Sequence, residues 1–312
     1  MKRQRSKDCM SEIFDFLKNT EIGRKKSPTY LAPRVEPSVS QSRHVAPIPE
    51  PSAINTTPIT APEDPGGVRP GGEELLPAEK FDFSQATLQM NNALDPKTVP
   101  GEQFRVLRTK LSLLQKQNGI RTILVTSTIP QEGKSFTSCA LAGVMAQEQG
   151  KNVVIIDADM RKLGSGRDYG LNGNSGIAGT AQVLQGTSEF RNSLLKSINP
   201  EFWFLPSGSL PQNPSELLSS PEMEKMLRFA ARNFDWVIVD APPALTLSDP
   251  NLIAPLCDAV VFVVRVNSTP TKLAQEAISK VGRERICGIV LNQQKQMHAS
   301  RYYYQYYYQK NR

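Results

Sequence analysis

The chain has 312 residues, 39% of them apolar, and a formal net charge of +7. That apolar share is low for a wholly globular chain of this length, so one folded domain with unstructured ends is expected rather than two packed domains. The four cysteines contain no CxxC pair, and His44 and His298 stand alone, which excludes a disulfide framework and a zinc site; with no basic stripe or interleaved aromatics, nucleic acid is not expected as a partner.

Residues 1–34 hold nine Lys or Arg against four Asp or Glu, so five of the seven net positive charges sit in an N-terminal arm. Such an arm suits an acidic lipid or an acidic partner, or is an ordinary solvated segment. Its start, MKRQRSKDCMSEIFDF, lacks the apolar centre of a signal peptide. Within SEIFDFLKNTE, Ile13, Phe14, Phe16 and Leu17 fall near one face, with Ser11 as cap, predicting a short helix near residues 11–20. From Ser27 to Pro77 there are eleven of the twenty-four prolines, among Ser, Thr, Glu and Gly. That stretch cannot bury enough apolar surface to offset its ordering entropy. Residues 1–80 therefore read as a basic, proline-rich, largely disordered arm, and residues 81–297 as the folded domain.

After the linker, Phe104, Leu107, Leu111 and Leu114 recur at helical spacing in GEQFRVLRTKLSLLQ. From Arg121 on, β-branched runs alternate with helical patterns. TILVTS, NVVIIDAD, FWFLPS, DWVIVDAPP, AVVFVVRV and ICGIVLN read as strands, with helices starting near Lys134, Ile177, Pro214, Asp249 and Thr271. Near-continuous apolar strands separated by helices predict an α/β fold whose mostly parallel central sheet has helices on both faces. Ligands of such sheets bind at the carboxyl ends of the strands. No apolar run is long enough to span a bilayer, so a cytoplasmic protein is expected.

TILVTSTIPQEGKSF joins a strand through a glycine-containing loop to a helix that opens on Lys-Ser. This is the Walker A arrangement of a P-loop NTPase-like fold, with Thr128 in place of the first glycine. Gly133 lets the main chain approach phosphate, Lys134 neutralises its oxygens, and the Ser135 hydroxyl suits Mg²⁺. Thr128, Pro130, Gln131, Glu132 and Phe136 complete the candidate nucleotide-binding stretch. Two further strands end in acids: VVIIDAD in Asp157 and Asp159, WVIVDAPP in Asp240. Singly, each is an ordinary turn aspartate. Together on the phosphate-loop edge they suit ATP with Mg²⁺, and one near the metal can take a proton from an incoming hydroxyl.

EQFRVLRT, VTSTIPQEGKS, VVIIDADMRK, LPSGSLPQNPSELLSS, FDWVIVDAPPAL, SDPNLIAPLCDAVVFVVR, GIVLN and a tyrosine-rich end occur here in one order. Over about residues 95–312 the chain resembles the bacterial tyrosine kinases (BY-kinases) of capsule and exopolysaccharide systems. The resemblance implies an ATP-dependent protein-tyrosine kinase with Lys134, Asp157 and Asp159 catalytic. It implies Ser135, Asp157, Asp159 and Asp240 around Mg²⁺, Asp240 through the water shell. It assigns Glu102, Arg105 and Arg108 to contacts between subunits of a homo-oligomeric ring; intrahelical Glu–Arg pairing is the local alternative. Asn292 faces adenine or is a strand-terminal turn residue. The family context further implies a separate transmembrane activator or polysaccharide co-polymerase, which recruits the kinase to the inner face of the membrane, and a tyrosine phosphatase.

Three departures accompany the resemblance. Gln131 stands where the family often has glycine, and Phe136 where threonine is frequent. The stretch after ADMRK is glycine-rich without the usual proline, and a mobile loop is expected there. Partition- and division-type ATPases on the same fold place a lysine where this chain has Ile129. Such an ATPase switch, or a nucleotide-bound scaffold, is the alternative to a kinase.

The chain closes on RYYYQYYYQKNR. Residues 298–312 read as a flexible cluster whose Tyr302, Tyr303, Tyr304, Tyr306, Tyr307 and Tyr308 are the candidate autophosphorylation sites. From Asn292 the remaining chain, fully extended, reaches about 70 Å, far enough to enter a neighbouring subunit's site.

Overall fold

The computed structural model describes residues 79–81, 87–161 and 177–293, which all fall within the unit Val68–Arg312. The basic arm, the short helix expected within it, most of the glycine-rich stretch after Arg161 and the tyrosine cluster lie outside the described residues.

Eight strands form one sheet: β1 (Glu79–Phe81), β2 (Thr122–Ser127), β3 (Val153–Asp157), β4 (Leu195–Ser197), β5 (Trp203–Leu205), β6 (Trp236–Asp240), β7 (Ala259–Arg265) and β8 (Ile286–Asn292). Their order is β1-β4-β5-β3-β6-β2-β7-β8. Every neighbouring pair is parallel except β4 and β5. The eight α-helices among the described residues are α1 (Leu88–Leu94), α2 (Val99–Asn118), α3 (Lys134–Ala146), α4 (Thr180–Leu184), α5 (Pro214–Leu218), α6 (Pro221–Asn233), α7 (Asp249–Ile253) and α8 (Thr271–Val281).

The apolar runs fold as central strands because both sheet faces are covered. Ile123, Val125, Val153, Ile155, Trp236, Ile238, Val261 and Val263 share one core with Leu141 and Met145 of α3. The alternate residues Leu124, Val154, Ile156, Val237 and Val239 are just as fully buried. Burial on both sides is what removes the alternating pattern from these strands.

α2 begins where Thr98 Oγ1 accepts the Gly101 amide and ends at Gly119, whose φ of 72° is the left-handed stop. Leu111 is buried, while Phe104, Leu107 and Leu114 pack on the core from the rim.

All six strands read from the sequence are present, and the helix expected near Ile177 begins at Thr180. The helix expected from Pro214 stops at Leu218, and a second starts at Pro221, whose ring fits the first helical turn but not an interior one. β1 begins at Glu79, inside the last residues assigned to the arm, and pairs with β4.

The register sets the site. Asp157 pairs with Asp240 across β3 and β6, Asp240 with Val125 of β2, and Arg265 with Asn292 across β7 and β8. The carboxyl edge therefore carries the acids, the phosphate loop and Asn292 in one row. Among the described residues, no helix is long and apolar enough to cross a membrane.

Candidate active site

Lys134 opens α3 directly after the loop from β2, so its side chain emerges where β2, β3 and β6 end. Its Nζ lies 3.0 Å from Asp159 Oδ2, 3.7 Å from Asp240 Oδ2 and 3.3 Å from Ser135 Oγ. Burial favours the neutral amine, but Asp240, Asp159 and Asp157 outweigh it and hold the ammonium above the usual lysine range. Ser135 Oγ donates to Asp240 Oδ2 at 2.6 Å, and Ser138 Oγ lies 3.3 Å from Asp240 Oδ1. Asp157 Oδ1 accepts the Asp159 amide at 3.0 Å, a local turn that brings the second acid back over the edge. The Asp157 carbonyl accepts from Thr180 Oγ1 at 2.8 Å, tying β3 to α4.

Lys134, Ser135, Asp157, Asp159 and Asp240 thus converge as the sequence predicts. Three carboxylates share one lysine here, an excess of negative charge that suits a divalent cation. Among the described residues no trio of His, Cys, Asp or Glu is arranged to hold a metal unaided. Thr128 is buried with its Oγ1 unpartnered among the described residues.

The loop itself bends through two left-handed residues, Gln131 at φ 65° and Gly133 at φ 89°. An L side chain such as that of Gln131 adopts that angle at a penalty of about 1–2 kcal/mol. A Cβ on Gly133 would lie 2.0 Å from Asn292 Nδ2. Asn292 Nδ2 donates to the Glu132 carbonyl at 2.8 Å, and its Oδ1 accepts the Gln293 amide at 2.8 Å. The strand-terminal residue is thereby seated on the phosphate loop. Phe136 packs edge-on against Phe104 of α2, ring centroids 6.1 Å apart. Its side chain is thus a contact between α2 and α3. Pro130 and Gln131 are exposed at the loop's crest.

Arg105 and Arg108 bond within the chain. Arg105 Nη2 donates to Gln147 Oε1 at 3.2 Å and Arg108 Nη1 to the Val144 carbonyl at 2.8 Å, both at the end of α3. Glu102 is half-buried on the first turn of α2. The arginines thus tie α2 to α3 rather than pairing along their own helix.

Sequence reasoning missed a second polar cluster beside the site. Arg161 grips Asp249 with two bonds, Nε to Oδ2 at 2.6 Å and Nη2 to Oδ1 at 2.9 Å. Arg161 Nη2 also lies 2.6 Å from Ser215 Oγ, which donates to Asp249 Oδ1 at 2.8 Å. Burial raises the Asp249 carboxyl, yet the bonds from Arg161 and Ser215 prevail and hold it below the usual range. The only hint in the sequence is that Arg161 follows Asp159 by two residues and Asp249 opens a helix.

A family profile described as an AAA domain matches residues 121–283. The tyrosine-protein kinase YwqD of Bacillus subtilis is 32% identical over 212 residues, 67% of this chain and 88% of that protein. The chain belongs to the bacterial tyrosine-protein kinases. Within that family, CpsD of Streptococcus agalactiae is 32% identical over 61% of this chain and 82% of its own length. The tyrosine-protein kinase wzc of Salmonella typhimurium is 30% identical, but the chain spans only 27% of it. Among solved structures of the family, the kinase domain of Escherichia coli ETK superposes with a TM-score of 0.61 at 29% identity, over 66% of this chain and 81% of that one.

Proposed function

We propose that the protein is an ATP-dependent protein-tyrosine kinase that phosphorylates the tyrosines of its own C-terminal cluster, in trans within an oligomer. The observation that carries this reading is Lys134 held between Asp159 and Asp240 at the carboxyl edge of the sheet, with Ser135 bonded to Asp240. Ser135, Asp157, Asp159 and Asp240 would hold Mg²⁺, with Asp240 acting through the ion's water shell, and the ion would neutralise phosphate charge. Lys134 exchanges Asp159 for phosphate oxygens when nucleotide binds. Asp159, so released, and Asp157 would then orient the tyrosine hydroxyl, and one of the two would accept its proton as the γ-phosphoryl group passes to the tyrosine oxygen and ADP leaves. Aliphatic exposure on α2 supports assembly: Val106 and Leu113, seven residues apart on one face, are 47% and 51% exposed.

The family resemblance supports the wider setting: a cytoplasmic kinase brought to the membrane by a separate transmembrane activator, opposed by a tyrosine phosphatase, and regulating polysaccharide polymerisation and export. Each phosphotyrosine adds about −1.5 to −2 charges, so a fully phosphorylated tail is repelled by the acidic edge and the assembly loosens.

Incubation of the purified protein with Mg-ATP, followed by phosphotyrosine mapping, tests the reaction, with Lys134→Met as control. Phosphate on the tail tyrosines of the wild type and a loss of at least about a hundredfold in the variant are expected. ADP release without tail modification would select an ATPase switch, and neither product a scaffold.

A further inference from the structure

An acidic residue is out of place in a loop built to receive phosphate, yet Glu132 stands directly before Gly133 and Lys134. Its side chain resolves the conflict by turning away from the edge. The residue is 1% exposed. Its Oε2 accepts the Ile129 amide at 2.8 Å, closing the loop on itself from within. Its Oε1 accepts the Arg265 amide at 3.1 Å, at the end of β7, and the Thr269 hydroxyl, in the turn that joins β7 to α8. The main chain of the same residue is fixed too, because its carbonyl receives Asn292 Nδ2. Asn292 also gives its own carbonyl to the Val266 amide at 3.0 Å, so one residue at the end of β8 braces both the loop and the turn.

We propose that Glu132 is a positioning residue for nucleotide binding: its buried carboxylate staples the phosphate loop to the β7–α8 turn and sets the loop's shape before nucleotide arrives. The proposal rests on the reading of this loop as the nucleotide site. The physical need for a staple is plain in the backbone. Glu132 lies between two residues with positive φ, Gln131 and Gly133, a path the chain does not hold by itself. Lys134 follows at once, so the place of its Nζ depends on that path. A carboxylate suits the position because it is purely an acceptor, and every group that meets it is a donor. An amide of the same size would turn an N–H₂ toward a main-chain N–H, losing a bond and adding a clash of like dipoles.

The test uses the full-length protein, titrated with a fluorescent ADP analogue and assayed for ATP turnover. Glu132→Gln is expected to raise Kd and KM for nucleotide about tenfold, the effect of one charge-assisted hydrogen bond, with any fall in kcat at saturation smaller than the rise in KM. Thr269→Val removes a single donor and should raise both constants about threefold, and Thr269→Ser, which keeps the hydroxyl, should restore them. A purely structural role would lower the melting temperature and the active fraction while leaving Kd and KM unchanged, and that outcome overturns the proposal. If Glu132→Gln does not fold, equal affinities of the Thr269 pair overturn it instead. Failure of the wild type to bind the analogue would defeat the nucleotide reading itself, a different result.

Discussion

Arg161→Ala isolates the cluster beside the site. Asp249 is 1% exposed, and the substitution removes both guanidinium bonds, leaving the Ser215 hydroxyl at 2.8 Å. Removing one partner of a fully buried pair costs about 3–5 kcal/mol, and breaking an exposed pair costs less than about 1 kcal/mol. The Arg161 side chain is 35% exposed, so water reaches the freed carboxylate and the loss should be about 2 kcal/mol. For a domain of this size that corresponds to a fall in Tm of about 4–8 °C. The pH dependence follows from the depressed Asp249 carboxyl. A folded-state pKa below the unfolded one stabilises the protein at pH values above the unfolded value of about 4. That contribution disappears as the pH falls through the folded value. Scanning calorimetry from pH 7 to pH 3 should therefore show the gap between wild type and variant closing in acid. A Tm at pH 7 indistinguishable from wild type, or a gap that widens on acidification, would refute the reasoning.

Two further outcomes are expected. Gly133→Ala places a Cβ 2.0 Å from Asn292 Nδ2 at a φ of 89°, so affinity for the ADP analogue should fall by at least about tenfold; Asn292→Ala in the same chain should recover only part, because the backbone angle remains unfavourable. Burial pushes the Cys287 thiol up to about 11, so peptide-mapped iodoacetamide labelling at pH 8 should be slow for Cys287 in the native protein and fast in urea; rapid native labelling would contradict its placement.

Much of the catalytic edge was legible because its signals are local. A glycine and Lys-Ser between an apolar strand and a helix specify a phosphate loop wherever they fold together. VVIID and WVIVD both end on aspartate, and a parallel register sufficed to set Asp157 beside Asp240. What escaped were pairings across long separations. Arg161 and Asp249 lie 88 residues apart, and Glu132 and Arg265 lie 133 apart. Neither residue type announces such a partner, so Glu132 read simply as part of the loop. β4 is three residues of mixed character, LKS. It forms because β1 pairs with it on one side and β5 on the other, with no periodicity of its own. Phe136 looked like a loop substitution because its partner, Phe104, belongs to a helix that precedes the phosphate loop.

That last contact has a mechanical meaning. Phe104 meets the first turn of α3 through Phe136, while Arg105 and Arg108 fasten to Gln147 and Val144 at its far end. The two helices are consequently splinted at both ends of α3, the helix on which Lys134 stands. Under the proposed trans reaction, a protomer seated on the outer face of α2 would load Lys134 through those contacts, so crowding of neighbours and readiness for chemistry would be two readings of a single displacement.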